Sequence, residues 1–131
     1  MKLLDSDHCV EILRGRLDLD SHIAIDEELA LSAISVGELV HGAHKSLHAN
    51  ENLARLDLLI SKLVILPFDE TTARRFGLLK ARLEQAGEKI NDPDLQIASI
   101  ALVYEIPLVT HNLAHFQRLK VDGLRLEDWL P

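Results

Sequence analysis

The chain has 131 residues, 47% of them apolar but only 4% aromatic, so it can bury a sizeable core, and that core must be aliphatic. Fourteen lysines and arginines against 21 aspartates and glutamates give a net charge of −7, which excludes a general basic footprint for nucleic acid. Contact with a polyanion must therefore be local or bridged by metal ions on the acidic groups, and part of the acidic surplus can face a basic partner.

Met1 to Leu4 reads as a short strand ending on Asp5, with no apolar leader ahead of it. A helix over about Asp7 to Leu13 follows and stops near Gly15; Cys9 within it reads as a small core hydrophobe. Leu29 to Ile34 predicts a second strand. Ser35 suits a helix N-cap with Glu38 three residues on, the capping-box pattern, opening a helix through about His48. A further helix spans Asn50 to Lys62, with Leu53, Leu56, Ile60 and Leu63 on one side. Val64 to Leu66 is a strand ended by Pro67. Asp69 caps a long helix through about Gln85, closed by Gly87. Asp92 then suits an N-cap, Pro93 the first helical position and Asp94 the first turn. Pro107 to Thr110 is another strand, and Leu124 to Leu126 a weak last one.

Strands separated by helices, with almost no hairpin signals, imply one α/β domain over residues 1–131. The expected form is a three-layer α/β/α sandwich around a mostly parallel sheet of four to five strands. Sites in such sheets form beyond the carboxyl ends of the strands. Asp5 ends the first strand, Thr110 ends the PLVT strand, and Glu38 and Asp94 lie in the opening turns of helices, so all three carboxylates can share one rim. Like charges crowded there raise one another's pKa, and a hard divalent cation relieves that cost. Such a cation also supplies what phosphodiester hydrolysis needs, an activated water and positive charge at the leaving oxygen. Each acid also has a local explanation: Glu38 a capping box, Asp94 a helix dipole, Asp5 a cap on the first helix.

Four stretches carry a resemblance. LLDSDH at Leu3 to His8, SAISVGELVHGA at Ser32 to Ala43, GEKINDPDLQIASIAL at Gly87 to Leu102 and LVTHNLAHFQRLKVDGLRLEDW at Leu108 to Trp129 resemble, in order, the motifs of PIN-domain ribonucleases, and specifically of VapC-type toxins. The resemblance implies an endoribonuclease that uses Mg²⁺ or Mn²⁺ and acts as the toxin of a type II toxin–antitoxin pair. Asp5, Glu38 and Asp94 would be the catalytic metal ligands. Ser6 would orient Asp5 or a bound water, and Asp7, standing where asparagine is common, adds an acid nearby. Many family members carry a fourth acid two or five residues past the threonine; here those places hold Asn112 and His115. Asn112 can still offer a carbonyl oxygen, and His115 suits Mn²⁺ better than Mg²⁺. Asp92 is a further candidate to compensate. The implied partners are an antitoxin whose basic side chain reaches the carboxylates, an RNA substrate and a second copy of the chain, the last also motivated by the apolar surface around Leu53 to Ile60. A cytoplasmic setting without membrane is expected, since no apolar run could span a bilayer and one cysteine allows no disulfide framework.

Other features are less telling. His41, His44 and His48 fall at i, i+3 and i+7, which reads as one polar helix face rather than a zinc site. Arg74, Arg75, Lys80 and Arg82 form the densest basic run, a solvated face or a local RNA contact. Trp129 reads as packing, since a lone aromatic makes no stacking platform. Two alternatives compete. A phosphoacceptor receiver-type domain would use Asp5 and Asp69, but no lysine follows the last strand and Glu38 and Asp94 would be idle. A catalytically weak PIN-like binding module is favoured only by the missing fourth acid.

Overall fold

The aliphatic runs at residues 3–4, 29–31 and 108–109 are buried on both faces, as inner strands of a covered parallel sheet are. The computed structural model describes residues 1–131. Its strands are β1 (Lys2–Leu4), β2 (Leu29–Ser32), β3 (Val64–Leu66), β4 (Leu108–Val109) and β5 (Leu126–Glu127). They form one sheet in the order β3-β2-β1-β4-β5, every pair parallel, with Leu3 opposite Ala30 on one side and Leu108 on the other. The helices are α1 (Ser6–Leu13), α2 (Ala33–Lys45), α3 (Ala49–Ile60), α4 (Glu70–Gln85), α5 (Asp92–Tyr104) and α6 (Leu113–Phe116), with 3-10 turns at Leu19–Ser21 and Gln117–Asp122.

The alternation of side chains along each strand divides the core in two. Leu3, Ala30 and Leu108 face Leu79 and Leu83 of α4 and the buried length of α5 from Leu95 to Leu102. Leu4, Leu31 and Val109 face Cys9 of α1, Leu39 and Ala43 of α2, and Leu56 and Leu59 of α3. The three-layer sandwich expected from the sequence is thus present, with five strands, all parallel. Cys9 is wholly buried, and burial pushes its thiol up to about 12, so it packs as a hydrophobe. Gly15 and Gly87 follow α1 and α4 with φ of 72° and 71°, the left-handed conformation that glycine adopts without penalty.

Several boundaries differ from the sequence reading, for local reasons. β2 stops at Ser32, whose hydroxyl accepts from the Ser35 N–H at 3.0 Å and caps α2. Ser35 is therefore inside the helix, and Glu38, six positions in, completes no capping box. The helix before Asp94 is capped by Asn91, not Asp92: the Asn91 side chain accepts from the Asp94 N–H at 3.0 Å. Both residue types cap well, and Pro93 is accommodated at the second helical position, so the cap moves back by one. Asp5 caps α1, which starts at Ser6. His48 leaves α2, which ends at Lys45, and precedes α3, so the three histidines do not share one helix face. The last strand lies at Leu126–Glu127, because the Leu108 N–H and Thr110 N–H pair with carbonyls of Arg125 and Glu127. On α3, Leu56 and Leu59 are spent on the chain's own core, leaving Leu58 as the broadly exposed leucine of that helix.

Candidate active site

From β1 the chain builds outward to β2 and β3, then returns across to β4 and β5. The order therefore reverses between β1 and β4, and the crevice beyond their carboxyl ends is where an open parallel sheet binds ligands. Asp5 follows β1 and Thr110 follows β4. The Thr110 hydroxyl donates to Asp5 Oδ2 at 2.8 Å, and the Ser6 N–H donates to Asp5 Oδ1 at 2.8 Å. Each carboxylate oxygen accepts one hydrogen bond, which fixes its plane and leaves each oxygen a further lone pair. Asp5 is only 7% exposed, and burial, followed by the negative charges of Asp7 and Asp94, raises its pKa from 3.8 to about 6.

Asp7 is held differently. Oδ1 accepts from His8 Nδ1 at 2.7 Å and Oδ2 from the His111 N–H at 2.9 Å. Burial opposes its charge, but these donors outweigh it and lower its pKa. His8 is wholly buried, and the Trp129 N–H donates to its Nε2 at 3.1 Å. A backbone N–H can only donate, so Nε2 carries the lone pair and Nδ1 the proton given to Asp7. His111 Nδ1 pairs with Asp128 Oδ2 at 2.8 Å. Two histidines thereby tie the C-terminal segment to the acidic end of α1. Trp129 packs within this clasp, stacked on His22 at 5.1 Å between ring centroids.

Asp94 sits in the first turn of α5. Its Oδ2 accepts from Asn91 Nδ2 at 2.9 Å and lies 3.3 Å from His115 Nδ1, which in turn is 2.9 Å from Asn112 Nδ2. The two residues that stand where a fourth acid was sought are thus beside Asp94. Glu38 is exposed on α2; partial burial and then the charge of Asp94 raise its pKa. The charge of Asp94 reaches both Asp5 and Glu38, and no lysine or arginine pairs with any of the three. Asp92 turns away to Lys80 at 2.9 Å. Ser6 contributes its backbone N–H to Asp5.

The donor set tests a divalent cation directly. It is all oxygen, suited to a hard ion, and its repulsion is uncompensated. No three acidic, histidine or cysteine side chains converge closely enough to enclose an ion. The arrangement therefore fits an open site in which water and substrate phosphate complete the shell, and not an all-protein cage. Sequence reasoning missed Asn91, whose dual bond to Asp94 was obscured by the adjacent Asp92, and the His8–Trp129 contact, which joins residues 121 apart. The basic run on α4 is largely spent on ion pairs: Arg74 with Glu70, Lys80 with Asp92, Arg82 with Asp122.

A parallel sheet with acids at its switch point is an open α/β fold with an acidic site, and the PIN domain matches residues 2–121. The chain belongs to the PIN-domain family. It is 33% identical to the tRNA(fMet)-specific endonuclease VapC of Salmonella typhimurium, over 97% of this chain and 96% of that protein. It is 34% identical to ribonuclease VapC2 of Rickettsia felis, again over 97% and 96% of the two chains. The structure of Rickettsia felis VapBC2 bound to a promoter DNA fragment superposes with a TM-score of 0.89 and 32% identity, covering 98% of each chain. Within the PIN family the chain thus falls among the VapC ribonucleases. The receiver-type alternative is overturned, since such domains have the strand order 2-1-3-4-5.

Proposed function

We propose that this chain is a Mg²⁺- or Mn²⁺-dependent endoribonuclease, acting as one domain over residues 1–131 and silenced by an antitoxin. The observation that carries the reading is Asp5: a buried carboxylate at the switch point of the sheet, crowded by Asp94 and Asp7, with no basic side chain to offset it. Asp5, Glu38 and Asp94 would hold the metal. When bound, it would supply an activated water and positive charge for the oxygen that leaves.

The chain's own groups do the rest. Thr110 and the Ser6 amide orient Asp5, and Asn91 orients Asp94. Asp7, with both oxygens committed to His8 and His111, holds the C-terminal segment in place and adds negative charge behind Asp5. Asn112 and His115, beside Asp94, are placed to accept from a water or to face the RNA strand, not to add a carboxylate. A tRNA is the first substrate to try, because the Salmonella relative is named for tRNA(fMet); such a substrate implies a cytoplasmic setting. No helix is long and apolar enough to cross a membrane.

An antitoxin partner is proposed because the structural relative is a VapBC pair. A basic side chain from it would find Asp5, Glu38 and Asp94 without a lysine or arginine partner. Self-association is proposed as well, with Leu58 (62% exposed) on α3 and Leu47 (99% exposed) in the turn before it as apolar groups for a second copy to cover. A monomeric mass by light scattering at micromolar concentration would overturn that part. For the activity, labelled RNA is incubated with either metal against Asp5→Asn and Asp94→Asn. Cleavage by the unsubstituted chain, lost at least 100-fold in both variants, is expected. Cleavage by none of the three, or equally by all, refutes the reading.

A further inference from the structure

We infer that Arg14 and Arg55 form a subsite for a phosphate of the RNA strand some distance along from the scissile bond, a reading that rests on the ribonuclease function proposed above. A cleft of about 440 Å³ is lined by Ser6, Glu38 and Leu39 together with Asn52, Arg14 and Arg55. Ser6 and Glu38 belong to the acidic cluster. One cleft therefore holds the Glu38 carboxylate and the residue next to Asp5 together with two guanidinium groups. Along α1, Ser6 and Arg14 are eight residues apart, on the order of 12 Å at the rise of an α-helix. That separation is the scale of a few nucleotides of single strand.

The charges suit a phosphate there. Arg55, on α3, donates through one nitrogen to the Leu13 carbonyl at the end of α1. It covers the carbonyl end of that helix, which would otherwise repel an anion, and keeps further donors for the cleft. Arg14 is 58% exposed, held only by a 3.4 Å contact with Glu11 on the surface, and free to turn toward a ligand. Asn52 donates to Ser46 Oγ at 2.8 Å, which orients its amide and leaves its carbonyl oxygen for a ribose hydroxyl or base edge. In a chain of net charge −7, whose α4 arginines and lysine are mostly paired, this is where backbone contacts can be made locally. Arg14 and Arg55 are positioning residues: they set the register of the strand over the carboxylates.

The test reads binding apart from chemistry. A fluorescein-labelled single-stranded RNA of about ten nucleotides is titrated in EDTA by fluorescence anisotropy, and kcat and KM are measured separately with Mg²⁺. Arg14→Gln and Arg55→Gln are each expected to weaken RNA binding roughly tenfold and to raise KM with little change in kcat, as loss of one charge-assisted hydrogen bond implies. The slope of log affinity against log salt should fall by about 0.7 for the phosphate released. Arg14→Lys should restore much of the affinity, and Arg74→Gln, an equal loss of charge on α4, should change neither quantity. Arg55 touches α1, so if Arg55→Gln misfolds, the test rests on Arg14→Gln, which removes no core contact. Unchanged affinity and salt slope in Arg14→Gln overturn the subsite while leaving the nuclease reading intact. A chain that cleaves no RNA, yet binds it less well as Arg14→Gln, overturns the nuclease reading and keeps the subsite.

Discussion

Asp5 opposes the folding it takes part in, and this can be measured. In the folded chain its carboxyl titrates at about 6 instead of 3.8, first because it is buried and then because Asp7 and Asp94 are near. At about 1.36 kcal/mol per pH unit of separation, its ionised form costs the metal-free fold about 3 kcal/mol. The sign follows from the direction. Below pH 3.8 the acid is neutral whether the chain is folded or not, and the cost is absent. It grows as pH rises and is complete above pH 6. Asp5→Asn removes the charge at nearly constant shape: its carbonyl can accept from the Ser6 N–H, and its amide can donate to the Thr110 hydroxyl. In EDTA at pH 7 the variant should therefore melt above the unsubstituted chain, by about 11 °C for a domain of this size. The difference should close as the pH is lowered to about 4. With Mg²⁺ at about a hundred times its Kd, the unsubstituted chain should regain roughly 2.7 kcal/mol and the variant much less. Thermal melts by circular dichroism across pH 4–8, with and without metal, give all of these values. A variant that melts no higher at pH 7, or a gap that persists at pH 4, would refute the electrostatic account of the site.

Asp7→Asn should behave oppositely and destabilise the chain at pH 7 by about 1–3 kcal/mol, because both oxygens accept hydrogen bonds and an amide can offer only one acceptor; urea titration reads it, and an unchanged midpoint argues against the clasp. His8→Leu should cost about 2 kcal/mol or more by leaving the Trp129 N–H and Asp7 without their buried partner, and near-UV circular dichroism of Trp129 should lose intensity with it; a native signal would contradict this. Glu38→Gln should leave the melting temperature within about 2 °C, as an exposed helix residue with no cap to lose, while lowering cleavage at least 100-fold. Full activity in that variant would remove Glu38 from the metal set.

Much of this molecule is local, and its sequence determined the local part. Aliphatic runs bounded by Pro67 and Pro107, the glycine stops at Gly15 and Gly87, and the helical spacing of α3 and α5 placed nearly every element within a few residues, because strands and helices follow side-chain period and backbone freedom. The places of Asp5 at a strand end and Asp94 in the first turn of a helix were also legible, whereas Glu38 lies six positions into α2 and not in its opening turn. Competition between equally good caps was not legible. Ser32 against Ser35 and Asn91 against Asp92 differ by where the preceding strand or loop releases the chain, which depends on the pairing of Ser32 with Leu66 and on packing around α5. The long-range partners were not legible either. The bond from Thr110 to Asp5, the contact of His8 with Trp129, and the cleft that Arg14 and Arg55 share with Glu38 join residues as many as 121 positions apart. Such contacts exist only once the strand order 3-2-1-4-5 has brought β4 beside β1 and stacked α1 against α2 and α3. The chemistry of each residue is carried by its type and its neighbours in the chain. Which acid is buried, which is satisfied and which is left without a basic partner was decided by tertiary packing, because solvation and charge act through space rather than along the chain.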